Sequence, residues 1–336
     1  MTEIENKVLT FLNEPLPVDV LNAIMDTIEA YGEFKATINN ENIELLEKLL
    51  LTRELQLAYA LVGEDLSIED ILLGIYFHKD NEIINQVVAY EKCKEYMIEK
   101  VSRYKIIPAS DFLRINCCLK TCNTKALSEK HILEVYDNFA QSLNDEVFKA
   151  FYALNNQQNI FLRMTVAYYL LNVKFTDFSF DALALDILFS TFVKRENTVT
   201  LPPIWLAKYY LLQEDWEYDA LDIPFERAII RFLLYLKREF NCMSIMVQNK
   251  KNMFTNLAEL LQQNFPKAYP ERIFKLLSES FCFRNNSIIE TLHVTPMTAI
   301  KYCKLLEENK LILSVKIGRE KIYLNQILIS LIIGMI

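Results

Sequence analysis

Apolar residues recur at helical spacing along most of this chain. Leu21, Ile24 and Ile28 fall on one face of a helix predicted over 18–30, directly after Pro15 and Pro17. The same periodicity predicts helices over 41–62, 82–103, 109–121, 128–143 and 158–173. The run 181–193, DALALDILFSTFV, is apolar almost all round, which predicts a central buried helix. Leu201-Pro202-Pro203 breaks the chain, and helices are predicted again over 204–213, 225–240 and 242–262. Pro266 and Pro270 mark the next boundary. Apolar/polar alternation is rare, so the expected class is all-α.

The last segment changes period. A short helix over 286–292, a turn at Val294-Thr295-Pro296 and a helix over 297–308 are followed by two alternating runs, 311–317 and 321–324. Gly318-Arg319-Glu320 joins those runs as a hairpin turn. Met297, Ile300 and Cys303 are expected on one side of the second helix. Helix, turn, helix and hairpin form the pattern of a winged helix-turn-helix with a small β-hairpin wing. Such a module would offer Thr295, Thr298, Lys301 and Lys304 to DNA, with Arg319 and Lys321 at the wing. Residues 284–325 carry seven Lys/Arg against four Glu, a local net of +3. A packing or dimerisation role is the other reading of the same module.

Composition narrows the chemistry. The 336 residues carry a net charge of −8, which argues against a basic surface along the whole chain. Glycine numbers only five, with none between Gly74 and Gly318. Phosphate-binding loops need close backbone approach and often positive φ, so the gap argues against Walker, Rossmann and kinase loops. The seven cysteines are scattered, and the three histidines (His78, His131 and His293) do not stand at zinc-finger spacing, so structural thiols and no bound metal are expected. No signal peptide or membrane span is expected, and the cysteine pattern points to the cytoplasm. The apolar run 327–336 has two readings, packing on the body or contact with a second copy.

Three stretches resemble the long form of the Fic/DOC family. Pro203-Ile204-Trp205-Leu206-Ala207-Lys208-Tyr209-Tyr210, followed by Glu217-Tyr218-Asp219-Ala220-Leu221, resembles the family's P-I-L-Y-L-S-x-Y … Y-Y-x-x-L stretch. Residues 295–312 resemble its C-terminal S-x-x-T-A-x-x-x-L-x-x-L-x-x-x-G-I-L, and 54–64, ELQLAYALVGE, its N-terminal E-A-x-x-S-S-x-I-E-G-T. The resemblance implies an N-terminal helical region over 1–104, a Fic-like helical core with its following helices over 105–265, and a winged helix over 266–336.

Fic enzymes transfer AMP to target hydroxyls with the motif H-P-F-x-[D/E]-G-N-G-R-x-x-R. The family's histidine acts as base, its acidic residue holds Mg²⁺, its glycines and asparagine form an anion nest, and its arginines balance the triphosphate. Here Thr176 stands near the histidine position, Phe178 at the phenylalanine and Phe180 at the metal ligand. Asp181-Ala182-Leu183 stands at G-N-G, and Ala184 and Ile187 at the two arginines. Asp177, Asp181 and Asp186 are the only charges in that window, and helix capping is the expected role of the first two. Val62 stands where the family carries its inhibitory glutamate, beside a retained Gly63. The family's P-G-x-x-R flap element is missing between Lys105 and Phe161.

A site refilled with core residues is therefore expected, with no catalytic residue and no cofactor. Three functions follow: a Fic-like binding or regulatory module without AMP transfer, recognising a protein partner or DNA; a diverged adenylyltransferase or other nucleotide-dependent transferase; and a winged-helix transcriptional regulator whose body senses a ligand or dimerises.

Overall fold

A computed structural model describes residues 8, 10–38, 43–61, 63–77, 82–103, 109–128, 159–175, 184, 187, 224–265 and 270–334. The predicted helix at 128–143 lies outside these residues beyond Ser128, and so do the predicted helix at 204–213, Val62 and all of 176–193 except Ala184 and Ile187. The described chain is predominantly helical, with a small antiparallel sheet at the C-terminal end. Its helices are α1 (Val18–Ile38), α2 (Ile43–Leu61), α3 (Ile68–Phe77), α4 (Glu82–Arg103), α5 (Ala109–Thr121), α6 (Ile160–Phe175) and α7 (Phe225–Asn264). The C-terminal unit runs α8 (Pro270–Glu279), β1 (Cys282–Arg284), α9 (Asn285–Leu292), α10 (Pro296–Glu308), β2 (Ile312–Ile317), β3 (Glu320–Asn325) and α11 (Gln326–Ile333).

The body is organised by α1 lying along α7. Small residues on α1, Ala23, Thr27 and Ala30, are buried and let the two helices approach closely. Thr27 adds a tie between them: its Oγ1 lies 2.7 Å from the Ala23 carbonyl and 3.0 Å from that of Leu233. Phe34 stacks on Phe240, and Tyr31 packs against both Phe240 and Phe161. This face differs from the expected one. Ile24 is buried, but Leu21 and Ile28 are 44% and 43% exposed. Helix α1 carries two apolar stripes, and the one that faces the core runs Val20, Ala23, Ile24, Thr27, Ala30, Phe34 and Ile38.

The two helices predicted over 225–240 and 242–262 are one helix of 40 residues. Asn241 is a weak helix former but not a breaker, and no proline or glycine follows it before Phe265. Leu236, Phe240, Met243 and Val247 carry the buried face straight through the expected gap. The N-terminal half of α7 belongs to the body core. Its Leu257 and Leu261, with Phe265, belong to a second core shared with Ile273, Leu277, Ile288, Leu292, Cys303 and Leu306.

Helix α11 settles the structural side of the apolar terminus. Ile327, Leu328, Ile329, Leu331 and Ile332 are all buried, against α2, α3, α7 and the sheet. Packing on the body accounts for that segment, and Ile333 is left exposed.

Helix α4 carries a pH-sensitive group. Burial, reinforced by Glu95 and opposed by Lys92 and Lys94, pushes the Glu91 carboxyl up from 4.5 to about 7. The folded state thus holds this proton more tightly than the unfolded chain does. Stability from this group is fully present below about pH 4.5 and is lost as pH rises through about 7. Glu91→Gln is expected to flatten that slope and to gain on the order of 1 kcal/mol at about pH 8, after discounting for solvent screening. Urea denaturation at about pH 5 and about pH 8 checks it; equal gains at both would contradict the assignment.

Candidate nucleic-acid interface at the C-terminal unit

Local chemistry explains each turn of this unit. Helix α9 ends at His293, whose φ of 53° and ψ of 48° place it in the left-handed region. Thr295 then caps α10, with Oγ1 accepting from the Thr298 N–H, and Pro296 occupies the first turn, where its missing N–H costs nothing. Helix α10 closes at Lys310, φ 56°, with the Leu311 N–H reaching the Leu306 carbonyl at 3.0 Å and the Lys310 N–H reaching that of Glu307 at 2.9 Å. This pair of bonds is a Schellman closure. Strands β2 and β3 pair from Ile312–Asn325 to Ile317–Glu320, so two residues, Gly318 and Arg319, make the turn, and Gly318 supplies its φ of 61°. Strand β1 is absent from the sequence expectation; it pairs with the other edge of β3, giving the order β1-β3-β2.

The faces of α10 correct the expectation drawn from its sequence. Cys303 is buried, but Met297 and Ile300 are 70% and 53% exposed. The buried side is Ala299, Cys303 and Leu306, an i, i+4, i+7 set present in the sequence but overshadowed by the larger Met and Ile. Lys301 and Lys304 are exposed and share helical phase with Met297. Thr295 is exposed while it caps, and Thr298 is half-buried. Arg319 stands exposed at the hairpin tip.

Two nearby cations are committed to local pairs. Lys321 lies 3.1 Å from Glu307 and its ammonium sits 5.0 Å from the centre of the Tyr323 ring. Burial alone would raise the Glu307 pKa; hydrogen bonds with Ser314 and Lys321 outweigh it and hold the carboxyl below its ordinary value. Arg284 pairs with Glu320 at 3.1 Å and stacks over Phe77 of the body at 5.1 Å. Of the six expected contact residues, Lys301, Lys304 and Arg319 are thus displayed outward, and Lys321 is tied back. An open depression of about 510 Å³ between α8 and α9 mixes Arg272, Lys275 and His293 with Glu279 and Glu290, so it has no dominant charge.

The other expected positions bear on a nucleotide site. Ala184 and Ile187 are helical and fully buried in the body core. The remaining positions of that window, Thr176, Phe178, Phe180, Asp181, Ala182 and Leu183, lie outside the described residues. Among the described residues, no group of three or more His, Cys, Asp or Glu could hold a metal ion. Cys93 and Cys118 are buried, and Cys122 follows α5 with φ 52°. None of the helices among the described residues is long and apolar enough to cross a membrane. No protein-family model matches this chain, and no curated protein does.

Proposed function

We propose that this chain is a binding and regulatory module without AMP-transfer activity, and that its C-terminal unit is a winged helix that engages duplex DNA. The observation that supports this most is where α10 is left. Among the described residues, α10 packs on α9 and β2 of its own unit, whereas the unit is attached to the body through α11, β1 and α7. The outward face, with Lys301 and Lys304, therefore stays uncovered, and Arg319 projects at the hairpin tip. The element order of helix, strand, two helices and a two-stranded hairpin is that of a winged helix, in which the second helix of the pair enters the major groove.

The full chain is expected to bind short random-sequence duplexes in fluorescence anisotropy at about 50 mM salt, and to release them as salt rises. Lys301→Glu with Lys304→Glu should weaken binding by about tenfold or more, while Lys48→Glu on α2 should leave it unchanged. Absence of binding at low salt would end the DNA reading.

The loss of AMP transfer rests on the Fic-like alignment together with burial. Where that motif has two arginines, this chain buries Ala184 and Ile187. Neither offers a cation to a triphosphate. Millimolar Mg-ATP is expected to leave the melting temperature unchanged. A rise of about 3 °C or more would favour a diverged transferase instead, because a ligand that binds only the folded state must stabilise it.

A further inference from the structure

The uncovered face of α10 has an unusual chemistry for a helix that reads DNA. Between Pro296 and Glu308 there is no arginine, asparagine or glutamine. The side chains that pair bidentately with adenine edges are therefore missing, and only Lys301 and Lys304 can reach the O6 and N7 acceptors of guanine. In their place, the first half of the helix displays Met297 and Ile300, 70% and 53% exposed. Lys301 and Lys304 stand beside them, so the patch carries the charge that a phosphate-lined groove requires. The C5-methyl group of thymine is the one apolar feature among the base edges of the major groove.

We infer that Met297 and Ile300 are specificity-determining residues that read thymine methyl groups, so that the chain selects thymine-bearing steps in duplex DNA. This rests on the DNA-binding reading above and names what that same face recognises. The lysines hold the duplex through its phosphates, which carry no sequence information, and the two apolar side chains supply the discrimination. Burying a methyl against them removes two apolar surfaces from water at once, and both side chains are more than half exposed in the folded chain.

The test uses the full chain. Duplexes are selected from a random-sequence pool, and each thymine of the selected site is then replaced by deoxyuracil, which keeps every hydrogen-bonding group and removes only the methyl. Thymine enrichment is expected, with about a three- to fourfold loss of affinity for each critical methyl removed. Met297→Ala and Ile300→Ala should each bind the thymine and uracil duplexes more nearly alike, with melting temperatures close to wild type. Selection without thymine enrichment, or uracil duplexes bound as tightly as thymine ones, would overturn the inference while leaving DNA binding intact. If no sequence is retained at all, the DNA reading fails and takes this inference with it. If Met297→Ala changes the oligomeric state in light scattering and leaves base discrimination untouched, the face is a protein contact, and the inference is overturned.

Discussion

Asn325→Leu is expected to cost about 4 kcal/mol of folding stability. Asn325 is fully buried at the junction of β3 and α11. Its Nδ2 donates to the carbonyls of Leu277 at 2.6 Å and Ser280 at 2.9 Å, and its Oδ1 accepts from the N–H groups of Ile327 at 3.1 Å and Leu328 at 3.4 Å. One side chain thus takes up carbonyls at the end of α8 and caps α11. Leucine fits the volume but strands two carbonyls and two N–H groups away from water, and each such group costs about 1–3 kcal/mol when unmade. Asn325→Asp keeps the cap acceptor but sets a carboxyl against the Leu277 and Ser280 carbonyls, so its loss is expected to deepen as pH rises and the buried carboxyl is forced to ionise. Urea midpoints at constant slope report these differences. A leucine variant within about 1 kcal/mol of wild type would contradict the assigned bonds.

Lys94→Met is expected to cost about 3 kcal/mol. The Glu54 side chain is 1% exposed, Lys94 Nζ lies 2.5 Å from it, and the Tyr90 hydroxyl donates to it at 2.9 Å. Removing the ammonium takes away the cation that Lys94 sets against this buried carboxylate and leaves the Tyr90 hydroxyl bond in place. The cost of a single deletion exceeds the net worth of the pair, since both charges were desolvated on folding. Glu54→Gln combined with Lys94→Met should therefore recover at least half of the loss, because the amide still accepts from Tyr90. A double variant no better than Lys94→Met alone would show that packing of the lysine stem, not charge, is what matters.

Elements that carry their own punctuation are legible in the sequence. Helices α4 and α5 form over the residues that periodicity predicts, and the hairpin around Gly318 follows from alternation plus one glycine that takes positive φ. Helix α3 escapes the pattern, because IEDILLGIYF has apolar residues on most sides and an internal glycine, which blurs any period. Strand β1 has three residues and exists only because β3 offers it an edge. The orientations of α1 and α10 depart from expectation because each buries a longer stripe than the one first picked out: α1 buries Val20, Ala23, Ile24, Ala30, Phe34 and Ile38, and α10 buries Ala299, Cys303 and Leu306, leaving Leu21, Ile28, Met297 and Ile300 off those stripes. At the candidate interface, the outward positions of Lys301, Lys304 and Arg319 follow from helix phase and turn position. The capture of Lys321 by Glu307 does not, since only the folded hairpin brings residues 14 apart within 3.1 Å.

The continuity of α7 has a structural consequence. At 1.5 Å per residue, its 40 residues make a rod of about 60 Å, anchored at one end beside Phe11 and at the other in the core beneath α10. No proline or glycine interrupts it between Phe225 and Asn264. With no proline or glycine to seed a sharp kink, one continuous helix enters both the body core packed on α1 and the second core beneath α10. The residues that fix the body core and those that fix the core under α10 therefore share a single uninterrupted backbone.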